Sequence, residues 1–144
     1  MKIGLARYIS VEIEKFSEIF TSIESELNNF FLRKDYGQNV KELHIGIICV
    51  SPQFEQFFQP KNVKFTRGKK YEKEGVLFSL EGVLEYDFKL DYASMISIGD
   101  EARTIIIYAL LESLRELKEI SSKLKFNLGD FENDMRLFSL QFSN

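Results

Sequence analysis

Alternation of apolar and polar residues is clearest over residues 76–92, where every second residue is apolar or glycine. This period of two predicts a strand with one face against a core and the other toward water or a partner. A straight strand of that length would extend about 55 Å, whereas a compact chain of this size spans only about 40 Å. We therefore expect a bend at Gly82, either as a bulge in one long strand or, as the alternative, as a two-residue hairpin turn at Glu81-Gly82.

The N-terminal third of the chain changes from strand to helix and back to strand. Lys2–Ile9 alternates and predicts a short strand. From Ser10 to about Lys34, apolar residues recur at steps of three and four, which predicts an amphipathic helix. Residues 40–50 are apolar on both sides after the first few positions, so they predict a central strand. Residues 53–59 are interpreted as a helical turn or a surface loop.

The rest of the chain predicts a hairpin and two helices. Residues 61–71 alternate and are rich in lysine, which suits an edge strand, and a turn at residues 72–75 leads into the long strand. Asp100 is a good N-cap for a helix whose apolar stripe ends at Leu124. After Gly129 and Asp130 we expect a last short helix, although the LFSLQF ending could instead form an edge strand.

These elements favour an α+β fold. With four strands and two main helices, the economical arrangement is a four-stranded, largely antiparallel sheet with both helices packed on one face and a short C-terminal helix. The chain has 144 residues, of which 44% are hydrophobic, so it can bury a sizeable core. We therefore expect residues 1–144 to form one domain.

The charge balance limits the possible partners. There are 19 basic and 22 acidic residues, for a net charge of −3, which argues against binding to nucleic acid or to an anionic membrane. The basic RGKK run at residues 67–70 is too short to change that expectation. No stretch approaches the roughly 18 to 20 apolar residues of a membrane helix, and no secretory signal is visible. We expect a cytoplasmic protein.

Two single residues are candidates for chemistry. One Cys and one His exclude an internal disulfide and a Cys/His zinc site, so we expect no metal and no other cofactor. Cys49 lies in an apolar strand and is interpreted as an inert core thiol. His44 could act as a general base, but no nucleophile pattern accompanies it. We expect a hydrogen-bonded structural histidine and no catalytic residue.

An acidic strip is the most suggestive polar feature. Glu81, Glu85, Asp87 and Asp91 fall on one side of the predicted long strand. They could bind a cation or form an acid and base pair, but the interleaved Lys89 and the lysines of the preceding strand favour a solvated, salt-bridged face. The functional alternative is contact with a partner, for which all four acidic residues are candidates.

Five stretches together resemble a known family. They are KIGLARYISVEI, KDYGQNVKELHIGIICV, KKYEKEG, VLEYDFKLDY and DEARTIIIYALLESLREL. In this combination the chain resembles the immunity proteins of bacterial polymorphic toxin systems, most closely the family known as immunity protein 44. The resemblance extends over nearly the whole chain and rests on the pattern of core residues rather than on a catalytic motif.

The resemblance implies an antidote that binds a cognate toxin domain, often a nuclease or another enzyme acting inside the cell, and neutralises it without chemistry of its own. The acidic strip would then meet a basic toxin surface. Two alternatives stay open. One is a structural, self-associating or other interaction module that pairs through the edge of the sheet or through an exposed aromatic patch among Phe54, Phe57 and Phe58. The other is a small-ligand-binding protein or enzyme with His44 or a carboxylate in a pocket between helices and sheet. A monomer and a dimer are both compatible with the sequence.

Overall fold

The computed structural model describes residues 1–37, 40–66, 69–80 and 82–143. The strands are β1 (Lys2–Ile9), β2 (Glu42–Cys49), β3 (Lys64–Thr66), β4 (Lys69–Lys73), β5 (Val76–Leu80) and β6 (Val83–Lys89). The α-helices are α1 (Ser17–Phe31), α2 (Tyr92–Ile96), α3 (Ala102–Ser113), α4 (Lys118–Ser121) and α5 (Leu128–Phe142). Short 3₁₀ helices cover Val11–Phe16, Pro52–Phe57 and Leu114–Leu117.

Within the described residues, four strands form a mixed sheet in the order β1-β2-β6-β3. The β1–β2 and β2–β6 pairs are parallel, and only β3 runs antiparallel to its neighbour β6. The α+β class is confirmed, but the expectation of a largely antiparallel sheet was wrong. A strand that is followed by a helix and pairs with the next strand returns in the same direction, and β1, α1 and β2 form such a unit.

The core lies on one face of the sheet, under the helices. On that face the strands contribute fully buried Ile3, Leu43, Ile45, Ile47 and Leu84. Helices α1, α3 and α5 contact one another over these residues. Phenylalanines of α1 and α5 pack ring against ring, for example Phe31 with Phe131 at 5.3 Å between ring centroids. The phenylalanine-rich composition is thus concentrated where the two helices meet.

The predicted long strand over residues 76–92 is divided between two sheets. Its first half is β5, which pairs antiparallel with β4, and its second half is β6 of the four-stranded sheet. The break lies at Gly82, whose φ of 67° favours glycine, so the position of the interruption was predicted while its form was not. A hairpin is present between β4 and β5, but the predicted strand over residues 61–71 is also divided, because β3 pairs with β6 and only β4 pairs with β5. The tip of this hairpin is a two-residue turn at Glu74 and Gly75, both with positive φ, as hairpin turns that match the strand twist require.

The C-terminal helix is longer than expected. Helix α5 has 15 residues, as many as α1, and buries Phe131, Met135 and Phe138. An edge strand at the LFSLQF ending is therefore wrong. The apolar spacing in this segment has a helical period, and a helix that supplies three fully buried residues is a main element of the core.

The outer edge of β1 is covered by side chains of α1. The Asn28 side chain accepts a hydrogen bond from Ile3 N at 3.0 Å and donates one to Ile3 O at 2.6 Å. Glu24 Oε2 accepts a hydrogen bond from Leu5 N at 2.6 Å. Backbone groups at the rim of a sheet can otherwise pair with another chain, so α1 closes this edge. We call it the closed edge.

Candidate functional site

The helices leave the opposite face of the four-stranded sheet without a helical layer. The strand register places side chains from all four strands on it. We call this surface the open face and define it by Lys2, Gly4, Ala6, Tyr8, Glu42, His44, Gly46, Ile48, Lys64, Thr66, Val83, Glu85, Asp87 and Lys89. It contains three of the residues that the sequence singled out, namely His44, Glu85 and Asp87.

His44 lies at the centre of the open face. Its Nε2 is 3.0 Å from Glu42 Oε2, and its Nδ1 is 3.8 Å from Glu85 Oε1. The register also aligns His44 with Gly4 of β1 on one side and with Glu85 of β6 on the other. The side chain is 38% exposed. It is a hydrogen-bonded histidine between two carboxylates, and its geometry suits contact with cationic groups of a partner.

The carboxylate of Asp87 packs closely against Gly46 of the neighbouring strand β2. A Cβ on Gly46 would lie 2.1 Å from Asp87 Oδ1 and 3.3 Å from Tyr8 Cε2, so only glycine at that position leaves room for this carboxylate. The other oxygen, Oδ2, accepts a hydrogen bond from Lys61 N at 3.2 Å. Asp87 therefore holds the segment before β3 against the open face while remaining partly exposed.

The structure brings together two of the four residues of the predicted acidic strip. Glu85 and Asp87 lie on the open face in β6, and Glu42 of β2 joins them. Glu81 lies outside the described residues. Asp91 lies beyond the end of β6 and is the N-cap of α2. Its Oδ2 accepts hydrogen bonds from Ser94 N at 3.1 Å and from Ser94 Oγ at 2.5 Å. An Asp followed three residues later by Ser at a helix start is a capping pattern, and that signal was available in the sequence.

Exposed aromatic side chains adjoin the open face. Tyr8 is 43% exposed, and its ring centroid lies 6.3 Å from that of Phe58. Phe54 and Phe57 belong to the 3₁₀ helix just before Phe58 and are also exposed, Phe57 by 70%. The sequence analysis left these phenylalanines as candidates for an interaction surface, and their exposure beside polar groups is typical of one.

A cleft of about 760 Å³ lies next to the open face, between β6 and the helices. Its walls include Tyr86 to Lys89 of β6, Pro60 to Val63, and Glu112, Glu116 and Glu119 of the helical side. At its inner end the hydroxyl of Tyr86 is 2.8 Å from Ser113 Oγ. His44 does not line this cleft, whereas the carboxylates of Asp87, Glu112, Glu116 and Glu119 do. Of the two predicted combinations, a pocket with His44 is therefore not present among the described residues, and a pocket with carboxylates is.

The remaining candidate groups are structural or lie elsewhere. Cys49 is buried in β2, and burial, with a smaller contribution from the charge of Asp91, raises its pKa to about 11, so the thiol stays protonated at neutral pH. Arg67 and Gly68 of the basic run lie outside the described residues. Among the residues that the structure does describe, no three His, Cys, Asp or Glu side chains are arranged to hold a metal ion.

The sequence and the fold can be compared with known proteins. In the described part of the chain, no helix is long and apolar enough to cross a membrane. Neither the curated proteins nor the solved structures include a match. One family does match: the profile described as immunity protein 44 covers residues 1–140 of the 144. The chain therefore belongs to the immunity protein 44 family.

Proposed function

We propose that this chain neutralises a cognate toxin domain by forming a stoichiometric complex with it, without catalysing a reaction. The observation that carries the proposal is the match of the family over residues 1–140. The polar geometry of the open face agrees with it, because its carboxylates and its histidine form contacts with one another and with the backbone rather than a nucleophile and base pair. The toxin would be an enzyme acting in the cytoplasm, for example a nuclease.

The open face is the proposed toxin-binding surface. The carboxylates of Glu42 and Glu85 flank His44, and Asp87 follows on the same face of β6. Of the lysines of this face, Lys64 lies directly across from Glu85, and Lys2 and Lys89 lie at the strand ends. A toxin that acts on an anionic substrate carries a basic surface, and local carboxylates would steer that surface into register. The exposed rings of Tyr8 and Phe58 would supply apolar contact beside the charges. Glu81 and Asp91 of the original strip are not needed for this proposal.

The test of the function is co-expression. The toxin domain encoded next to this chain would be expressed with and without it, followed by growth assays and by light scattering of the purified mixture. The expected result is growth arrest by the toxin alone, rescue by this chain, and a particle with the mass of a one-to-one complex. Arrest that this chain does not relieve, together with two separate species in solution, would refute the proposal.

The test of the surface is charge reversal with a matched control. Glu85→Lys on the open face should weaken the complex roughly tenfold, mainly through slower association, because it turns an attractive charge into a repulsive one. Asp87→Asn removes charge but keeps an acceptor for Lys61 N, so its effect should be smaller. Glu18→Lys, an equal change on exposed α1, is the control and should bind normally. Equal affinity for Glu85→Lys and Glu18→Lys would exclude the open face as the binding surface.

Self-association through Phe54, Phe57 and Phe58 is a second candidate, favoured by the exposure of all three rings. Light scattering of the chain alone distinguishes it. A dimer that Phe57→Ser converts to a monomer would support self-association, whereas a monomer at all accessible concentrations would exclude it.

A further inference from the structure

The edge strand β3 is shorter than its neighbour β6 and pairs with only the first part of it. The antiparallel ladder between β3 and β6 runs only from Thr66↔Val83 to Lys64↔Glu85. On its other side, β6 pairs with β2 as far as Lys89. Among the described residues, the segment from Tyr86 to Lys89 therefore has a strand partner on one side only. We call this segment the open edge.

The backbone orientation follows from one hydrogen bond. Leu90 N donates to Ile48 O at 2.8 Å, so the even-numbered residues of β6 direct their N–H groups toward β2. Successive residues of a strand direct these groups to opposite sides. The N–H and C=O groups of Asp87 and Lys89 therefore face the open edge, and within the described chain no hydrogen bond occupies them. These groups are the template that a further strand requires.

The cleft described above lies along this open edge. Pro60 to Val63 bound it on the side of the open face, where Lys61 N is fixed by the carboxylate of Asp87. The helical side bounds it with Glu112, Ser113 and the residues that follow. A slot between a strand edge and a helix accommodates an extended peptide, which pairs with the strand and directs alternate side chains to the two walls.

The charges on the two walls differ. The helical wall carries three glutamates, Glu112, Glu116 and Glu119, against Arg115 and Lys123, so it is acidic by one charge. Arg115 and Glu116 form a pair at 3.7 Å, and Glu112 and Glu119 have no ion-pair partner in the described part of the chain. The opposite wall carries Lys61 and Lys89. An added strand whose side chains alternate between basic and acidic would place its basic residues near the glutamates and its acidic residues near the lysines.

We infer that the open edge binds an extended segment of the toxin, which pairs with Asp87 and Lys89 as an added strand in the sheet and carries alternating basic and acidic residues. The inference rests on the proposed function and names a second contact region beside the open face. Main-chain hydrogen bonds at the edge supply affinity that does not depend on sequence, and the charged walls select the segment.

The test uses amide hydrogen exchange of individual residues by NMR, on the full chain alone and saturated with the toxin domain encoded next to it. In the complex, exchange of the Asp87 and Lys89 amides should slow at least about tenfold, because each gains a hydrogen-bond acceptor. The second measurement compares Lys89→Pro, which removes the N–H, with Lys89→Ala, which removes the side chain and keeps the N–H. Lys89→Pro should bind the toxin about tenfold more weakly than Lys89→Ala, because one hydrogen bond is lost.

The outcomes separate this inference from the proposed function. A one-to-one complex with unchanged exchange at Asp87 and Lys89, and equal affinity of the two Lys89 variants, would overturn the added strand and leave the inhibitor role intact. Absence of any complex would overturn both. Protection of the same amides in the chain alone, together with a dimer by light scattering, would replace the toxin segment with a second copy of this chain and would also overturn the inference.

Discussion

The outer strands of the parallel part of the sheet, β1 and β6, differ in how their outward backbone groups are hydrogen-bonded. At β1, the side chains of Asn28 and Glu24 in α1 accept or donate hydrogen bonds at Ile3 and Leu5, so the N–H and C=O of Ile3 and the N–H of Leu5 are satisfied. At β6, the neighbouring strand β3 ends opposite Glu85, and the next four residues have no strand beyond them in the described chain. One edge is closed by its own helix, and the other is open beside a cleft.

The closed edge serves the fold, whereas the open edge leaves backbone groups of β6 accessible to a partner. An unprotected edge is a liability for aggregation, so proteins normally cover it, twist it away or charge it. The closed edge is covered. The open edge is instead flanked by charged walls, and Asp87 and Lys89 place charged side chains on the strand itself. Charged flanks discourage indiscriminate pairing and still permit a complementary strand.

Removing the cover of the closed edge should have the largest effect on stability. Asn28→Ala leaves both the N–H and the C=O of Ile3 without their partner in a partly buried site, so we expect a loss of about 2 kcal/mol in the free energy of unfolding. Urea denaturation measures it. The neighbouring Asn29→Ala, at an exposed position of the same helix, is the control and should change stability by less than about 0.5 kcal/mol. Equal stability of the two variants would show that Asn28 does not close the edge.

The second contact of the closed edge should contribute less. Glu24→Ala removes one charged acceptor from Leu5 N, and we expect it to cost about 1 to 1.5 kcal/mol in urea denaturation. Glu24→Gln keeps an acceptor oxygen of the same reach, so it should retain most of that stability. If Glu24→Gln were as unstable as Glu24→Ala, the charge of Glu24 rather than its hydrogen bond to Leu5 N would account for the stability that this residue contributes.

The glycine beneath Asp87 connects the open face to the open edge. In Gly46→Ala the new methyl group requires the Asp87 carboxylate to move, which breaks its hydrogen bond to Lys61 N. We expect a loss of about 1 kcal/mol, together with faster amide exchange at Lys61. Gly99→Ala, where no atom lies within 4 Å of the added carbon, is the control. An unchanged Lys61 amide would mean that Asp87 does not fix this wall of the cleft.

The periodicity of each segment predicted its helix or strand. The direction and pairing of the strands could be determined only from the structure. The stripe of Phe20, Ile23 and Leu27 is buried as the helical spacing indicated, because period and burial are properties of one segment. The parallel direction of β2 and β6 depends on how strands far apart in sequence are arranged, and no single segment encodes that. The division of residues 76–92 between two sheets was missed for the same reason.

For the candidate site, too, features of a single segment were predicted, whereas contacts between two segments were not. A period of two correctly put Glu85 and Asp87 on one face of a strand, whereas the contact of His44 with Glu85 depends on the register between two strands. The edge contacts of Asn28 and Glu24 were not predicted, since polar residues beside an apolar helical stripe usually face solvent. Their spacing of four residues on one side of α1 was the available signal, because it places both side chains along one line.

A substitution at the open edge should have the smallest effect on stability, and it tests most directly whether the two edges differ. Proline at position 89 removes an N–H that points away from β2 and has no partner in the described chain, and proline is tolerated in strands where the N–H faces outward. We expect Lys89→Pro to unfold in urea within about 0.5 kcal/mol of Lys89→Ala. The closed edge offers the contrast, because loss of Asn28 there should cost about four times as much. A loss of 2 kcal/mol or more at Lys89 would mean that this N–H already has an acceptor within the protein, and the two edges would then be equally closed.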